Sequence, residues 1–307
     1  MPEATPPLRV GIAGLGNLGA GVARLLLAGL PGLVLAAVAG RDIARVTAAL
    51  AALRPAADAC AAPVGAGAAS GPALAPGNPR PAPLAESAAV PHTLPADVRI
   101  VPLAELPGAV DVVVECLTPD AAPALVEATL AAGRSIVVAS VTALLLEPRL
   151  QALAKAAGSP AARILVPTGA ILGLDVIRAA ALGRIDHVTV RTRKPPASLG
   201  GSAPLEQATC LFRGNALDAV RAYPRNVNVA AAVALAGIGG ERTQVEIWSD
   251  PAVSRNTHEV ELDSDTASVR MQVSNLPSPD NPKTSLITAQ SIVAALQSLV
   301  VPVRVGS

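Results

Sequence analysis

Hydrophobic and polar positions change their period partway along the chain. In the first half, unbroken apolar runs at Leu8 to Ala13, Leu33 to Ala39, Val98 to Val101, Val110 to Cys116, Ser135 to Ser140 and Arg163 to Val166 are separated by helically spaced stretches. Those stretches are Ala20 to Leu30, Asp42 to Leu53, Pro119 to Ala132 and Glu147 to Ala157. Runs without alternation suit strands covered on both faces, and their interleaving with helices predicts an N-terminal, Rossmann-type, doubly wound parallel sheet. After Pro167 the period becomes two: Val188 and Val190, Val245 and Ile247, Val260 and Leu262, then Val269, Met271 and Val273. Such alternation predicts a mostly antiparallel sheet with one covered face. Helices near Leu174 to Ala181, Asn215 to Ala222 and Asn226 to Ala236 make this second part α/β in composition (α+β in order). Thr284 to Leu299 reads as a closing helix, with Asn281, Pro282, Lys283, Thr284 and Ser285 as its start signals. The expected organisation is a doubly wound domain over 1–166 and a second domain over 167–283.

One stretch breaks the pattern. Residues 54–97 contain 15 Ala, 9 Pro and 4 Gly and no apolar periodicity, so no helix continues through them. A disordered insertion on a surface connection is expected there, in preference to a functional lid.

Composition narrows the function. The chain has 307 residues and a formal charge of +1, too even a balance to favour a nucleic-acid or membrane-surface partner. Phe212, Tyr223 and Trp248 are its only aromatic residues, too few for base-stacking platforms. Three cysteines, Cys60, Cys116 and Cys210, lie far apart and form neither a disulfide framework nor a zinc pattern, which suits a reducing compartment. The longest apolar run, Leu25 to Ala39, is interrupted by Gly29, Pro31 and Gly32, so no membrane span is expected. The segment Met1 to Pro7 has no basic or apolar leader character, so a cytoplasmic location is expected.

Chemistry concentrates at a few places. Gly14, Gly16 and Gly19 form G-x-G-x-x-G between the first strand and its helix, and Asn17 and Leu18 stand within the same loop. In that context the first glycine permits a tight turn, the second lets backbone approach a pyrophosphate and the third allows close helix packing. At the end of the second strand stand Arg41 and Asp42. An acidic residue there takes ribose hydroxyls and an arginine accommodates a 2′-phosphate, so use of both NAD and NADP is expected. Asp42 serves equally well as the cap of the next helix. Pro167 to Asp175 leaves the last parallel strand through small residues, as a crossover or as a turn beside a nicotinamide. Tyr223 to Val229 places Asn226 and Asn228 before an alanine-rich helix, where capping is the simple role. His258 shares a face with Val260 and Leu262, which fits either a satisfied core histidine or a catalytic one. His187, on the face of Thr189 and Arg191, and His92, in the insertion, read as solvent residues.

Taken in order, Gly11 to Gly19, Pro167 to Asp175, Arg193-Lys194-Pro195, Tyr223 to Val229, Asp250-Pro251, Asn256-Thr257-His258 and Asn281 to Ser285 resemble the L-aspartate dehydrogenases across nearly the whole chain outside the insertion. The resemblance implies a Rossmann domain rejoined by the C-terminal segment 284–307, and a second domain that builds the substrate site and a homodimer contact. It places the catalytic histidine at His258, and cofactor contacts at Ala170 and Asn228. It implies NAD(P)-dependent oxidative deamination of L-aspartate to oxaloacetate and ammonia through iminoaspartate, or the reverse amination. In this mechanism His258 is the general acid/base, with an ordinary pKa of about 6.5 suited to the task. The substrate carboxylates need cations, and Lys283, Arg193 and Lys194 are the candidates. Two departures from the family stand out: the length of 54–97, and Asp263-Ser264-Asp265-Thr266 in place of a glycine-bearing turn. Rival readings are another amino-acid dehydrogenase, a sugar dehydrogenase or a non-catalytic NADP-binding sensor. Related sugar oxidoreductases carry Glu-Lys-Pro where this chain reads Ala139-Ser140-Val141.

Overall fold

A computed structural model describes residues 6–53, 98–156, 162–196, 207–224, 226–278 and 281–306. The proposed insertion at 54–97, with Cys60 and His92, lies outside the described residues. Elements follow in the order β1 (Leu8–Ala13), α1 (Asn17–Leu27), β2 (Leu33–Ala39), α2 (Ile43–Leu53), β3 (Arg99–Val101), α3 (Leu106–Ala109), β4 (Val112–Glu115), α4 (Ala122–Ala131), β5 (Ser135–Val138), α5 (Val141–Leu146), α6 (Pro148–Ala156) and β6 (Ile164–Leu165). The second half adds α7 (Leu174–Ala180), β7 (Ile185–Lys194), β8 (Thr209–Asn215), α8 (Ala216–Ala222), α9 (Asn228–Ala236), β9 (Gln244–Ser249), β10 (Asn256–Ser264), β11 (Ser268–Asn275), β12 (Pro277–Ser278), β13 (Asn281–Ser285) and α10 (Ile287–Gln297).

The first sheet has six parallel strands in the order β3-β2-β1-β4-β5-β6, the Rossmann arrangement expected from the unbroken apolar runs. Every residue of β4 and β5 is buried, because helices cover both faces. One face packs Val10, Ile12 and Val22 with Ile292 and Leu296 of the C-terminal helix, so α10 returns to the first core beside α1. The opposite face packs Val113 and Ile136 against Leu106, Leu125 and Leu150.

The second sheet runs β11-β10-β7-β9-β8, antiparallel except where β7 and β9 run parallel. Its inner face, Val188, Val190, Val245, Val260 and Leu262, packs on helices α7, α8 and α9 through Ile177, Val220 and Val233. The outer face is charged: Arg191 bonds Glu246 at 2.9 Å and Glu259 at 3.0 Å. The predicted period of two therefore sorts core from surface.

Several boundaries differ from the sequence reading, each for a local reason. Helix α1 begins three residues earlier than expected because Gly16 is extended and ends the loop there, and it stops before Gly29, which takes a positive φ of 87°. Strand β8 was not expected; it is an edge strand with exposed Cys210 and Leu211, so it carries little alternation. Helix α5, too short to show a period, was also missed. The closing helix starts at Ile287, not Thr284, because residues 281–285 pair with 277–278 as a two-stranded sheet. Lys283 consequently stands on a strand and not at a helix N-terminus.

Candidate active site

The glycine loop builds the first half of the site, and each glycine has its own steric reason. At Gly14 φ is +89°, and a Cβ would lie 2.5 Å from the Cys116 carbonyl oxygen. At Gly19 a Cβ would lie 1.9 Å from the Gly14 carbonyl oxygen, so α1 packs directly on the turn that precedes it. At Gly16 a Cβ would meet nothing within 4 Å, which leaves open space over the loop. No side chain caps α1 at Gly16, so first-turn N–H groups are free to bind an anion. These features fit a dinucleotide pyrophosphate.

The loop opens onto a cavity of about 640 Å³ lined by Gly14, Leu15, Gly16, Arg41, Asp42 and Arg45, together with the turn after β4. Asp42 Oδ1 accepts the Arg45 N–H at 3.0 Å, so it does cap α2 while also lining the cavity. Arg45, not singled out from the sequence, stands one helical turn beyond Arg41 and adds a second guanidinium to the same wall. Glu115 was missed as well. Its buried carboxylate accepts N–H groups from Leu117 at 2.7 Å and Ser140 at 2.9 Å, and so ties the turn after β4 to the turn after β5. Burial pushes its pKa up, against the pull of those hydrogen bonds.

A second cavity, about 210 Å³, lies where the two sheets meet. Leu18 and Val141 reach it from the first domain; Ala170, Asn228, Lys194 and His258 reach it from the second. Strand register creates this constellation. On the inner face of the second sheet each strand is apolar at one end and polar at the cavity end: Val188, Val190, Thr192 and Lys194 on β7, then Leu262, Val260, His258 and Asn256 on β10. His258 pairs across the ladder with Thr192, whose Oγ1 lies 3.0 Å from His258 Nδ1. The ring is thus fixed at one nitrogen, and Nε2 has no protein partner among the described residues.

Electrostatics here differ from the expected ordinary imidazole. Burial, joined by the nearby charge of Lys194, lowers the pKa of His258 to about 3, so the ring is neutral at physiological pH. Lys194 is itself buried, which pulls its pKa down, and it has no acidic partner among the described residues. An arriving carboxylate would supply the missing counter-charge.

The remaining sequence candidates sort cleanly. Ala170 lines the cavity, with its carbonyl held by Asn275 Nδ2 at 2.9 Å. Asn228 begins α9, and its Oδ1 accepts the Thr142 N–H at 3.2 Å, which joins α9 to α5 across the seam. Arg193, a candidate carboxylate anchor, is on the other face, bonded to Asp250 at 2.9 Å and stacked 5.0 Å from the Trp248 ring centre. It does not line the cavity, because adjacent strand residues point to opposite faces. His187 is exposed, as expected, with Nε2 at 2.6 Å from Thr189 Oγ1.

Comparison with known proteins bears on both halves. A family described as "Aspartate dehydrogenase, C-terminal" matches residues 175–299, and one described as "Homoserine dehydrogenase, NAD binding domain" matches residues 14–167. The chain is 39% identical to the L-aspartate dehydrogenase of Bradyrhizobium diazoefficiens, covering 99% of this chain and 96% of that one. It is 48% identical to L-aspartate dehydrogenase 3 of Bordetella bronchiseptica, covering 70% and 81%. The crystal structure of aspartate dehydrogenase from Thermotoga maritima matches with a TM-score of 0.65 at 25% identity, over 97% and 99% of the two chains. A scyllo-inositol dehydrogenase from Lactobacillus casei matches with a TM-score of 0.51 at 12% identity, over 97% and 88%, and shares the fold alone.

Proposed function

The chain belongs to the L-aspartate dehydrogenase family, and on that premise we propose that it converts L-aspartate, water and NAD(P)+ to oxaloacetate, ammonium, NAD(P)H and a proton, or runs the reverse amination. The observation that carries the reading is the buried pair of His258 and Lys194 at one cavity where both domains meet. A cation and a neutral base side by side suit a dicarboxylate substrate that must lose and regain protons. The nicotinamide, when bound, supplies the hydride acceptor at the substrate α-carbon.

In this reading Lys194 holds a substrate carboxylate, and Thr192 holds the tilt of the His258 ring through Nδ1. Neutral His258 takes a proton as water adds to iminoaspartate and returns it to the departing nitrogen. Leu18, Ala170 and Asn228 would hold the nicotinamide end of the cofactor, and Gly14, Gly16, Asn17 and Gly19 would receive its pyrophosphate. Asp42 and Arg41, on the wall of the same cavity as the glycine loop, would hold the adenosine ribose. Lys283 remains a second candidate anchor, two residues before Ser285 of the cavity wall. A homodimer formed through the second domain, and residence in the cytoplasm, complete the reading. They are supported by the family resemblance and by widely spaced cysteines, of which Cys116 and Cys210 are unpaired.

A panel of amino acids and polyols with NAD+ and NADP+, followed at the absorbance of reduced nicotinamide, tests the proposal. Turnover of L-aspartate well above the rest is expected. Turnover of another compound instead, or cofactor binding without any turnover, would overturn it.

A further inference from the structure

The catalytic cavity contains one polar atom that nothing explains. Asn256 is 9% exposed, and its Oδ1 is fully buried with no hydrogen-bond donor among the described residues. Buried amide oxygens are nearly always paired, so an orphan on a residue that lines a cavity marks the place of a donor that arrives from outside. Asn256 lines the same cavity as His258 and lies two residues before it on β10, which puts both side chains on one face.

The chemistry of the lining says what that donor is. Among the described residues no aspartate or glutamate lines the cavity, and the charged side chain that does is the cation Lys194. A substrate ammonium therefore finds no carboxylate among them to receive it. The other amide with a defined partner, Asn228, already spends its Oδ1 on the Thr142 N–H. We propose that Asn256 Oδ1 accepts a hydrogen bond from the substrate nitrogen: the ammonium of L-aspartate on entry, the imine N–H in the intermediate, and ammonia in the reverse direction. A neutral acceptor at this point holds the nitrogen in place without adding a fixed negative charge that would bind the ammonium form too tightly to release its proton. It also separates labour within the cavity, with Lys194 reading the carboxylate, Asn256 the nitrogen and His258 moving the proton.

This inference rests on L-aspartate being the substrate, and the test separates the two. Asn256→Leu replaces the orphan amide by an apolar group of similar size, so the melting temperature should not fall. In the reverse reaction its KM for ammonia should rise by roughly threefold to tenfold, the loss expected for a hydrogen bond to a neutral donor, with the KM for oxaloacetate changed by no more than about twofold. Calorimetry with reduced nicotinamide present gives a readout without turnover. Wild type should bind L-aspartate in preference to succinate, which has both carboxylates and no nitrogen, and the variant should lose roughly tenfold to a hundredfold of that preference, the loss expected for a hydrogen bond to a charged donor. If Asn256→Leu does not fold, Asn256→Ala is read in the same way. Wild type that turns over L-aspartate, with a variant that keeps both its ammonia KM and its preference over succinate, overturns the inference alone and leaves Asn256 as the site of a buried water. Wild type inactive on L-aspartate overturns the functional reading and this inference with it.

Discussion

The two cavities are built in opposite ways. The cavity at the glycine loop is made by backbone: three glycines within six residues, a free helix end and the turns that follow two parallel strands. The seam cavity is made by side chains: Lys194 comes from β7, Asn256 and His258 come from β10, and they meet only because the two strands pair in one register. A backbone-built site tolerates side-chain change and fails on added bulk. A side-chain-built site fails when a single functional group is removed, and its fold need not notice.

The contrast is sharpest at Gly19. A Cβ there would lie 1.9 Å from the Gly14 carbonyl oxygen, a backbone atom that cannot swing aside. Gly19→Ala should lower stability by about 3 kcal/mol and abolish cofactor binding, read as a Tm roughly 5–10 °C lower and a lost fluorescence titration with NADH. A normally stable, cofactor-binding variant would break the steric account of the loop.

Lys194→Met is the side-chain counterpart. It keeps the stem and removes the charge, so the KM for L-aspartate should rise roughly tenfold to a hundredfold with little change in cofactor affinity. It should also move the proton chemistry. With the lysine charge gone, the pKa of His258 rises from about 3, only partway toward 6.5 because burial, the larger cause, remains. In wild type the free enzyme's kcat/KM should therefore show no histidine limb between about pH 5 and 8, whereas in Lys194→Met an acid limb should enter from below. An unchanged profile would remove Lys194 from the electrostatics of the site.

The same buried imidazole gives a stability signature. Its pKa in the folded protein, about 3, is depressed below the unfolded value of about 6.5, so the unfolded chain binds the proton first. The stability it contributes is present above pH 6.5 and is lost progressively as pH falls toward 3. His258→Asn should flatten the decline of Tm below pH 6.5; parallel declines in both proteins would contradict the buried, neutral state.

The smallest effect is expected at Gly16 and Arg41. A Cβ at Gly16 meets nothing in the protein, so Gly16→Ala should leave Tm unchanged and weaken cofactor binding by roughly tenfold, about 1.4 kcal/mol, through the approach it blocks. Arg41→Ala should raise the KM for NADP+ by several-fold and leave that for NAD+ nearly unchanged, with Arg45 retaining part of the 2′-phosphate contact. Equal effects on both cofactors would give Arg41 a different role.

These differences explain what could be read before the structure. The glycine loop, β1 and β2 are local features, and their residues stand where a motif and an unbroken apolar run put them. The inner face of the second sheet was legible from the period of two, which also placed His258 inward. Its neighbours were not legible. Thr192 finds its partner through register across distant strands, Asn275 reaches the carbonyl of a turn 105 residues away, and Glu115 meets Ser140, 25 residues on. Arg193 and Lys194 looked equivalent as adjacent cations, and only the pleat separates them. Lys283 was misplaced for another reason: Asn-Pro-Lys-Thr-Ser has the residues of a helix start, yet its backbone pairs with Pro277 and Ser278.

Cofactor affinity and aspartate turnover measured together on His258→Asn test the central claim most directly. The substitution keeps polarity and approximate size at a position held by Thr192, and it leaves the glycine loop, Ala170 and Asn228 untouched. The account predicts a kcat for L-aspartate lower by roughly 10² to 10⁴ with NADH binding near wild type, the mark of a lost proton carrier at an intact site. A variant that folds, binds NADH and deaminates L-aspartate at the wild-type rate would contradict it.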